Sequence, residues 1–346
     1  MKVCHVYFSC NRNYGDLVIG ETMKVLMRQF LPNANVTTVS PTLGFETANY
    51  RRNTNEIVEV ANQSDLCVIG GGGLVDCLVG EKPVIPVHQL TCPFIVYSIG
   101  FNTFNLTLPS NYCEQLKKIE HKALFFSVRM DGTNRFSGCK YDFRQTVDSA
   151  IWVGRFFNDL PRPIKEKYAV VNVAGDCFNY RYLQGGVTKQ KLEKICVSIQ
   201  KSLEKRGYHV ISIKHRTTDL ELGETVNWKE IMEDFKKGLA YYKHASIVIS
   251  TRGHSQIIPV GFKVPIINIA TQPKNQGFMY ALGLEKYCID INAVTSRWIE
   301  KAIKNVEQDN LRFDGLLRLL WRMTVNDWLP IKKTLKPQKV VEIIKK

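Results

Sequence analysis

The residues best suited to chemistry in this sequence are an arginine and a histidine separated by a single glycine. Arg252, Gly253 and His254 follow the apolar run SIVIS at 246–250 and precede a helical pattern, which predicts a strand-to-helix corner. Helix N-termini favour anions, and arginine is a fixed cation that binds carboxylate and phosphate groups. Histidine can transfer protons near neutral pH. This corner is therefore predicted to bind an anionic substrate and to move a proton.

Further cationic side chains are candidates for binding the same anion. Arg129 ends the apolar run ALFFSVR at 123–129 and is followed by Asp131. A guanidinium at the end of a buried strand can hold a carboxylate or phosphate with two hydrogen bonds. Alternatively, Arg129 pairs with Asp131 and only organises the loop. Lys274 and Ser255 are further candidates for contact with the anion.

Two glycine-containing loops near the N-terminus are candidates for the opposite wall of a ligand site. The first, Asn13-Tyr14-Gly15-Asp16, lies between a predicted strand and a predicted helix. A ligand loop and a simple turn with a helix cap are equally compatible with it. Asp16 is a candidate base. The second loop follows the strand LCVI and contributes Gly71, Gly72 and Gly73, for which contact with a ligand or between domains is favoured over a tight turn.

The remaining polar and cysteine positions are less informative. His215, in Lys214-His215-Arg216, is a second candidate base, although a solvated strand end is the favoured interpretation. The ten cysteines contain no C-x-x-C pair and no zinc-type spacing with histidine, so we predict reduced cysteines and no bound metal.

Apolar strand-like runs alternate with amphipathic helical patterns along the whole chain. Such alternation predicts parallel sheets covered by helices on both faces. The predicted strands are 2–9, 35–40, 66–74, 94–100, 123–129, 150–154, 168–175, 209–215, 246–250, 264–270 and 287–291. We therefore predict an α/β protein with two Rossmann-like domains facing a central cleft, where open α/β sheets bind ligands.

The domain boundary is placed where Leu160-Pro161-Arg162-Pro163 interrupts the alternation, because the two prolines disfavour helix and remove ladder donors. This gives an N-terminal domain at 1–160, a C-terminal domain with terminal helices at 161–330, and a basic tail at 331–346. The N-terminal domain is the expected acceptor side of the cleft and the C-terminal domain its expected donor side.

The formal net charge of +15 favours anionic partners but does not identify them. Basic residues are spread along the chain without a recognisable nucleic-acid-binding motif, so binding to nucleic acid is ranked low.

The N-terminus becomes polar too early for a signal peptide, and no apolar run is long enough to span a bilayer, so a cytoplasmic location is expected. A solvated tail is the favoured interpretation of 331–346. Contact between this tail and anionic lipid, at the inner face of a membrane, is a weaker alternative.

Taken in order, these motifs resemble the polysaccharide pyruvyl transferase family. The resemblance rests on N-x-G-D, the glycine run, S-I-G, S-V-R, R-x-H, G-x-x-P-I-I and ALGLEKY, and it runs through most of residues 1–291. It implies two Rossmann-like domains as in GT-B glycosyltransferases. It also implies transfer of pyruvate from phosphoenolpyruvate to sugar hydroxyls, with formation of a ketal and release of phosphate.

Carried onto this chain, the resemblance assigns Arg252 and His254 to donor binding and catalysis, and Arg129 to the S-V-R position. His254 would protonate the methylene carbon of phosphoenolpyruvate, the expected co-substrate, and no cofactor or metal is required. The sequence departs from the family at GRFFNDLPRP and at 172–175, where an arginine is expected. These departures leave the identity of the acceptor and of the donor open. The expected acceptor is a sugar or a lipid-linked glycan. The alternative activity is that of a glycosyltransferase with a nucleotide-sugar donor.

Overall fold

The fold is described from a computed structural model that covers residues 1–9, 13–43, 51–101, 110–133, 140–183, 186–309 and 311–335. Two sheets dominate it, each with six parallel strands. The predicted α/β architecture with two parallel, Rossmann-like sheets is thus confirmed.

The first sheet occupies the N-terminal half of the chain. Its strands have the order β2-β1-β5-β6-β7-β8, and β3 and β4 form a separate antiparallel pair. The strands are β1 (Lys2–Val6), β2 (Asn35–Val39), β3 (Thr42–Leu43), β4 (Arg51–Arg52), β5 (Leu66–Gly72), β6 (Phe94–Ile99), β7 (Phe125–Arg129) and β8 (Gln145–Thr146). The helices of this half are α1 (Tyr14–Phe30), α2 (Thr54–Asn62), α3 (Val75–Leu78), α4 (Ser110–Lys122) and α5 (Val153–Phe156).

The second sheet has the strand order β11-β10-β9-β12-β13-β14, which in chain order is 3-2-1-4-5-6, as in dinucleotide-binding folds. Its strands are β9 (Tyr168–Asn172), β10 (His209–Ile213), β11 (Glu224–Val226), β12 (Ile247–Ser250), β13 (Ile266–Ala270) and β14 (Cys288–Asp290). The accompanying helices are α6 (Phe178–Arg181), α7 (Lys189–Glu204), α8 (Trp228–Glu233), α9 (Phe235–His244), α10 (His254–Gly261), α11 (Pro273–Ala281), α12 (Ser296–Gln308) and α13 (Asp314–Leu335).

Strands of both sheets are buried on both faces, which explains their continuous apolar sequences. All residues of β5, β6, β9 and β13 are buried. Parallel strands covered by helices on both sides need no polar face, so they lack the alternation of a half-exposed strand. The apolar residues along both sheets therefore form the core, and the polar residues at the strand ends are left to build a site.

One predicted strand is wrong. The run at 150–154 forms a 3₁₀ turn, Ser149–Trp152, that continues into α5, and the sixth strand is the short β8 before it. The side chain of Asp148 accepts a hydrogen bond from the amide of Ala150, which caps the turn. A short buried apolar run has no periodicity that separates strand from helix, so the sequence could not decide between them.

The last helix, α13, returns to the first half of the chain. Trp328 is buried and stacks on Phe30 at 5.6 Å between ring centroids, with Tyr97 at 5.4 Å. The sequence analysis groups this helix with the second domain, whereas its aromatic contacts are with the first sheet, α1, α5 and the turn before α5. The boundary at residue 160 itself stays a prediction.

The C-terminal segment extends the last helix. Residues 331–335 of the predicted basic tail continue α13, while 336–346 lie outside the described residues, so lipid contact by the tail stays a prediction.

Cys113 is disulfide-bonded, and the expectation of reduced cysteines is wrong for it. Cys4, Cys67, Cys77, Cys92, Cys177, Cys196 and Cys288 are free thiols. In the described part of the chain, no helix has the length and apolarity needed to cross a membrane.

Candidate functional site

A cavity of about 320 Å³ lies where the carboxyl ends of the two sheets face each other. In the first sheet the strand order reverses beside β1, and in the second sheet it reverses beside β9. Open α/β sheets bind ligands in the crevice at such reversals. The cavity is lined by segments that follow these central strands, by the starts of α10 and α11, and by the end of β7 and the residues just after it. The topology therefore places the cavity where a ligand is expected.

The walls of this cavity are strongly cationic. Its charged lining residues are Arg129, Arg181, Arg216, Arg252, Lys274, Asp16, Asp131 and Asp176. His254 and Gln256 add polar groups, and Phe8, Ile257 and Phe278 contribute apolar surface.

Arg252 is held rigidly at the corner between β12 and α10. Its Nε donates to Asp219 at 2.9 Å, and one terminal nitrogen donates to Asp176 at 2.5 Å. Burial alone would lower the pKa of Arg252, but the two carboxylates more than reverse this, so the guanidinium stays charged. Asp219 is itself fixed by the backbone amide of His215 at 3.0 Å. The corner thus carries a permanently positive and well-oriented group.

Asp176 gathers three guanidinium groups at one side of the cavity. In addition to Arg252, it accepts from Arg181 at 3.3 Å and lies 4.0 Å from Arg216 Nε. Burial would raise the pKa of Asp176, yet the three arginines hold it below its ordinary value. The three guanidinium groups thus share two carboxylates, Asp176 and Asp219, which leaves an excess of positive charge that suits an anionic ligand.

Arg129 supplies a fourth guanidinium, from the end of β7. It donates to Asp131 at 2.6 Å and to Asp148 at 3.1 Å. A Cβ on Gly100 would lie 2.6 Å from Arg129, so only glycine leaves room for the guanidinium there. Both interpretations of Arg129 are compatible with this geometry, since the side chain pairs with Asp131 and also lines the cavity.

His254 begins α10 and reaches across to the first half of the chain. A Cβ at Gly15 would overlap the imidazole ring, so the ring lies directly against the start of α1. In the same region the amide of Tyr14 donates to the carbonyl of His215 at 3.0 Å, and the hydroxyl of Tyr14 donates to the carbonyl of Phe235 at 2.6 Å. The two halves of the chain therefore meet closely at the catalytic candidate.

The protonation state of His254 follows from its surroundings. Burial lowers its pKa well below 6.5, and the nearby charges of Arg129, Lys274 and Arg252 lower it further. The pKa of Lys274 is lowered to about 8, mainly by burial and by Arg129. At neutral pH the imidazole is therefore neutral when no anion occupies the cavity, and a bound anion would oppose the neighbouring positive charges.

The structure brings most of the sequence-predicted site residues to this cavity. Those that line it are Asn13, Asp16, Gly73, Arg129, Arg252, Gly253, His254 and Lys274. Gly15 lies behind His254, while Gly71 and Gly72 have positive φ angles of 80° and 92° at the end of β5, before the chain turns towards α3. Ser255 is buried beneath the cavity, where it donates to Asn172 at 2.8 Å. The functional role of each residue stays a prediction.

His215 contradicts the favoured interpretation from sequence. It is fully buried and bonds to the hydroxyl of Tyr242 at 2.8 Å. Burial lowers its pKa to about 3. The polar neighbours of His215 in the sequence suggested a solvated strand end, but the packing of α1 and α9 over β10 removes it from water. It is not among the residues that line the cavity.

Several residues of the site were missed by the sequence analysis. Arg181, Arg216, Asp176 and Gln256 all line the cavity. The position of Asp176 in the segment that follows strand β9 was an available signal, because residues that follow a central strand lie at the ligand crevice. Arg181 ends the short helix α6 and Arg216 lies in a loop, and neither segment has a recognisable sequence pattern. Their role depends on contacts that only the folded chain makes.

No group of three or more histidine, cysteine or acidic side chains with the arrangement of a metal site occurs among the described residues. The ion pairs of the cavity are instead between acidic groups and arginines.

Solved structures similar to this one show the fold of the chain. A glycosyltransferase of kitacinnamycin biosynthesis matches with a TM-score of 0.54 and 15% identity, over 97% of this chain and 99% of that one. The spinosyn forosaminyltransferase matches with a TM-score of 0.54 and 11% identity, over 97% and 98% of the two chains. A putative UDP-N-acetylglucosamine 2-epimerase from Listeria monocytogenes matches with a TM-score of 0.53 and 12% identity, over 88% and 87%. These similarities confirm the expected GT-B-like fold.

Sequence comparison identifies the family. No curated protein matches the chain by sequence. The family model described as polysaccharide pyruvyl transferase matches residues 13–273, which include α1, the central strand β9 and the whole R-x-H corner. The chain therefore belongs to the polysaccharide pyruvyl transferase family.

Proposed function

We propose that the protein transfers pyruvate from phosphoenolpyruvate to two hydroxyls of a sugar or glycan, forming a ketal and releasing phosphate. The observation that carries this proposal is the cavity in which four arginines and a lysine surround His254. Membership of the family supports the same reaction class.

The charge pattern of the cavity fits the two anionic groups of phosphoenolpyruvate. The cations fall into two sets: Arg181, Arg216 and Arg252 gather around Asp176. Arg129 pairs with Asp131 and Asp148, and Lys274 lies at the start of α11. A phosphate and a carboxylate can each bind one set through charge-assisted hydrogen bonds. Such preorganised cations also stabilise the negative charge that develops as phosphate leaves.

Binding of the donor would change the protonation of His254. The positive charges of Arg129, Lys274 and Arg252 contribute to its lowered pKa. Burial is the main cause of that lowered pKa, but the negative charges of phosphoenolpyruvate offset the cations and raise it, which favours the protonated imidazole when the donor is bound. In this proposal His254 acts as the general acid in the complex with its substrate.

The reaction follows from this arrangement. The imidazolium of His254 gives its proton to the methylene carbon of phosphoenolpyruvate, and an oxocarbenium-like centre forms at C2. One sugar hydroxyl adds to C2 and loses its proton, which restores His254 or passes to Asp16, a carboxylate in the cavity wall. The C2–O bond to phosphate then breaks, and the second hydroxyl adds to C2 and loses its proton. Of the two hydroxyl protons, one replaces the proton that His254 donated to carbon, and the other leaves on the departing phosphate. The products are the ketal and inorganic phosphate.

The test is an assay of phosphate release from phosphoenolpyruvate in the presence of galactosides, glucosides and N-acetylmannosaminides. We expect one class of glycoside to gain the mass of pyruvate less one water, as measured by mass spectrometry. The His254→Ala variant should retain its fold, and its rate of phosphate release should fall by about 10²–10⁴-fold, the usual contribution of one positioned acid. His209→Ala is the matched control, because His209 is exposed and pairs with Glu224 outside the cavity.

Two results would contradict the proposal. Full activity of His254→Ala would remove the histidine from the mechanism. Release of a nucleoside diphosphate from a nucleotide sugar, with no binding of phosphoenolpyruvate in a thermal shift assay, would favour the glycosyltransferase alternative, since a ligand stabilises the folded state according to its affinity.

A further inference from the structure

One polar side chain in the cavity has neither of its hydrogen-bonding atoms satisfied. Gln256, the third residue of α10, is fully buried and lines the cavity. Within the part of the chain that the structure describes, neither its Nε2 nor its Oε1 has a hydrogen-bond partner. The buried amide of Asn268 differs, since its Nδ2 donates to the carbonyl of Ser250 at 2.9 Å and its Oδ1 accepts from Cys288.

An unsatisfied amide at this position points to a ligand. Burying a polar group without a partner is unfavourable, and native proteins nearly always satisfy such groups with protein, water or a bound molecule. Gln256 borders the cavity and lies two residues after His254, within the first turn of α10. The proton donor and Gln256 therefore both belong to the wall of the same cavity.

The chemistry of a carboxamide restricts which group it binds. The Nε2 atom donates hydrogen bonds and the Oε1 atom accepts them, so a partner for both must offer an acceptor and a donor. The phosphate and carboxylate of phosphoenolpyruvate offer acceptors alone when ionised and would leave Oε1 unsatisfied. A hydroxyl offers both, and a pair of neighbouring sugar hydroxyls can satisfy both atoms at once.

We propose that the Gln256 carboxamide binds a hydroxyl of the acceptor inside the cavity and is a specificity-determining residue for the acceptor. This inference rests on the proposed function, which supplies a sugar acceptor. It places part of the acceptor site on the second half of the chain, beside the histidine.

The experiment measures the KM for the acceptor and the KM for phosphoenolpyruvate separately in wild type and Gln256→Met. Methionine matches the length of glutamine and has no donor or strong acceptor. The acceptor is the glycoside of the panel that wild type modifies. We expect the acceptor KM to rise about 10–100-fold, as for the loss of one or two neutral hydrogen bonds. The KM for phosphoenolpyruvate should stay unchanged, and the Tm should stay equal or rise because an unsatisfied buried amide is removed.

Asn275→Leu is the matched control. Asn275 is equally buried, its amide atoms also have no partner among the described residues, and it lies in α11 outside the cavity lining. We expect it to leave both KM values unchanged. The proposal is overturned if Gln256→Met raises the KM for phosphoenolpyruvate instead, if it changes neither KM, or if Asn275→Leu raises the acceptor KM equally.

Failure of the proposed function would be recognised separately. If wild type releases no phosphate from phosphoenolpyruvate with any glycoside, the same panel is tested for binding alone, by the thermal shift that each glycoside causes. A shift that is present in wild type and lost in Gln256→Met supports the assignment of Gln256. Equal shifts in both proteins, or no shift in wild type with any glycoside, overturn it.

Discussion

Replacing Gly15 with alanine tests whether the first half of the chain positions His254. The added Cβ would lie 2.6 Å from the Cβ of His254 and closer still to two atoms of its ring. Because the nearest atoms include the Cβ as well as the ring, a rotation about one side-chain bond cannot remove the overlap. The ring must leave its place, or α1 must move away from α10.

The expected magnitude follows from what the displaced ring does. A positioned acid or base typically contributes about 10²–10⁴-fold to the rate, so we expect kcat to fall by at least about 100-fold. The arginine cluster around Asp176 lies in the second half of the chain and does not touch Gly15, so the KM for phosphoenolpyruvate should change little. Alanine is otherwise favoured over glycine in a helix by about 0.5–1 kcal/mol, which offsets part of the cost of the overlap.

The assay is phosphate release under saturating phosphoenolpyruvate and glycoside, with circular dichroism to check the fold. Gly315→Ala is the matched control, because Gly315 is also the second residue of a helix and a Cβ there meets no atom within 4 Å. A second comparison uses His254→Ala as background, where adding Gly15→Ala should cost little further activity if the two changes act through the same ring. A wild-type kcat in Gly15→Ala would refute the reasoning. It would also be refuted if Gly15→Ala lowered kcat by the same factor in wild type and in His254→Ala.

Three further predictions concern protonation and buried charge. Burial lowers the pKa of His5 to about 4 and that of His215 to about 3, so both stay neutral in the folded protein while the unfolded chain binds protons below pH 6.5. The stability that comes from keeping these two histidines neutral is thus fully present above pH 6.5. As the pH drops towards 4, the free energy of unfolding falls by up to about 1.4 kcal/mol per pH unit for each histidine. Denaturant unfolding at several pH values checks this, and an equal slope in the double variant His5→Gln, His215→Gln would contradict it. The pKa of Lys274 is about 8, so the affinity for phosphoenolpyruvate should fall as the pH rises through 8, and Lys274→Arg should abolish that fall if the lysine charge is its cause. Asp219→Asn should lower the free energy of unfolding by about 3–5 kcal/mol in urea titrations, because it leaves the Arg252 guanidinium buried with less compensation, and a loss below 1 kcal/mol would show that the pair is not critical.

The fold was largely predictable from local sequence patterns. Runs such as YAVVNVAG and SIVIS are mainly apolar because their strands are buried on both faces, and the helices between them carry one apolar stripe. The same patterns located the R-G-H corner, since a residue that follows a central strand of an open α/β sheet must lie at the ligand crevice. Local patterning failed at 150–154, where a five-residue apolar run is compatible with either strand or helix.

The sequence by itself therefore determined the two parallel sheets, the corner that carries Arg252 and His254, and the glycine loops opposite it. Only the tertiary structure decided that Asp176 joins Arg181 and Arg216 to this corner, that His215 is excluded from water, and that Gln256 lies unsatisfied at the cavity wall. The physical reason is the range of the interactions. Hydrophobic periodicity is repeated within each element, whereas the partners of a buried charge or amide come from distant segments and have no pattern along the chain.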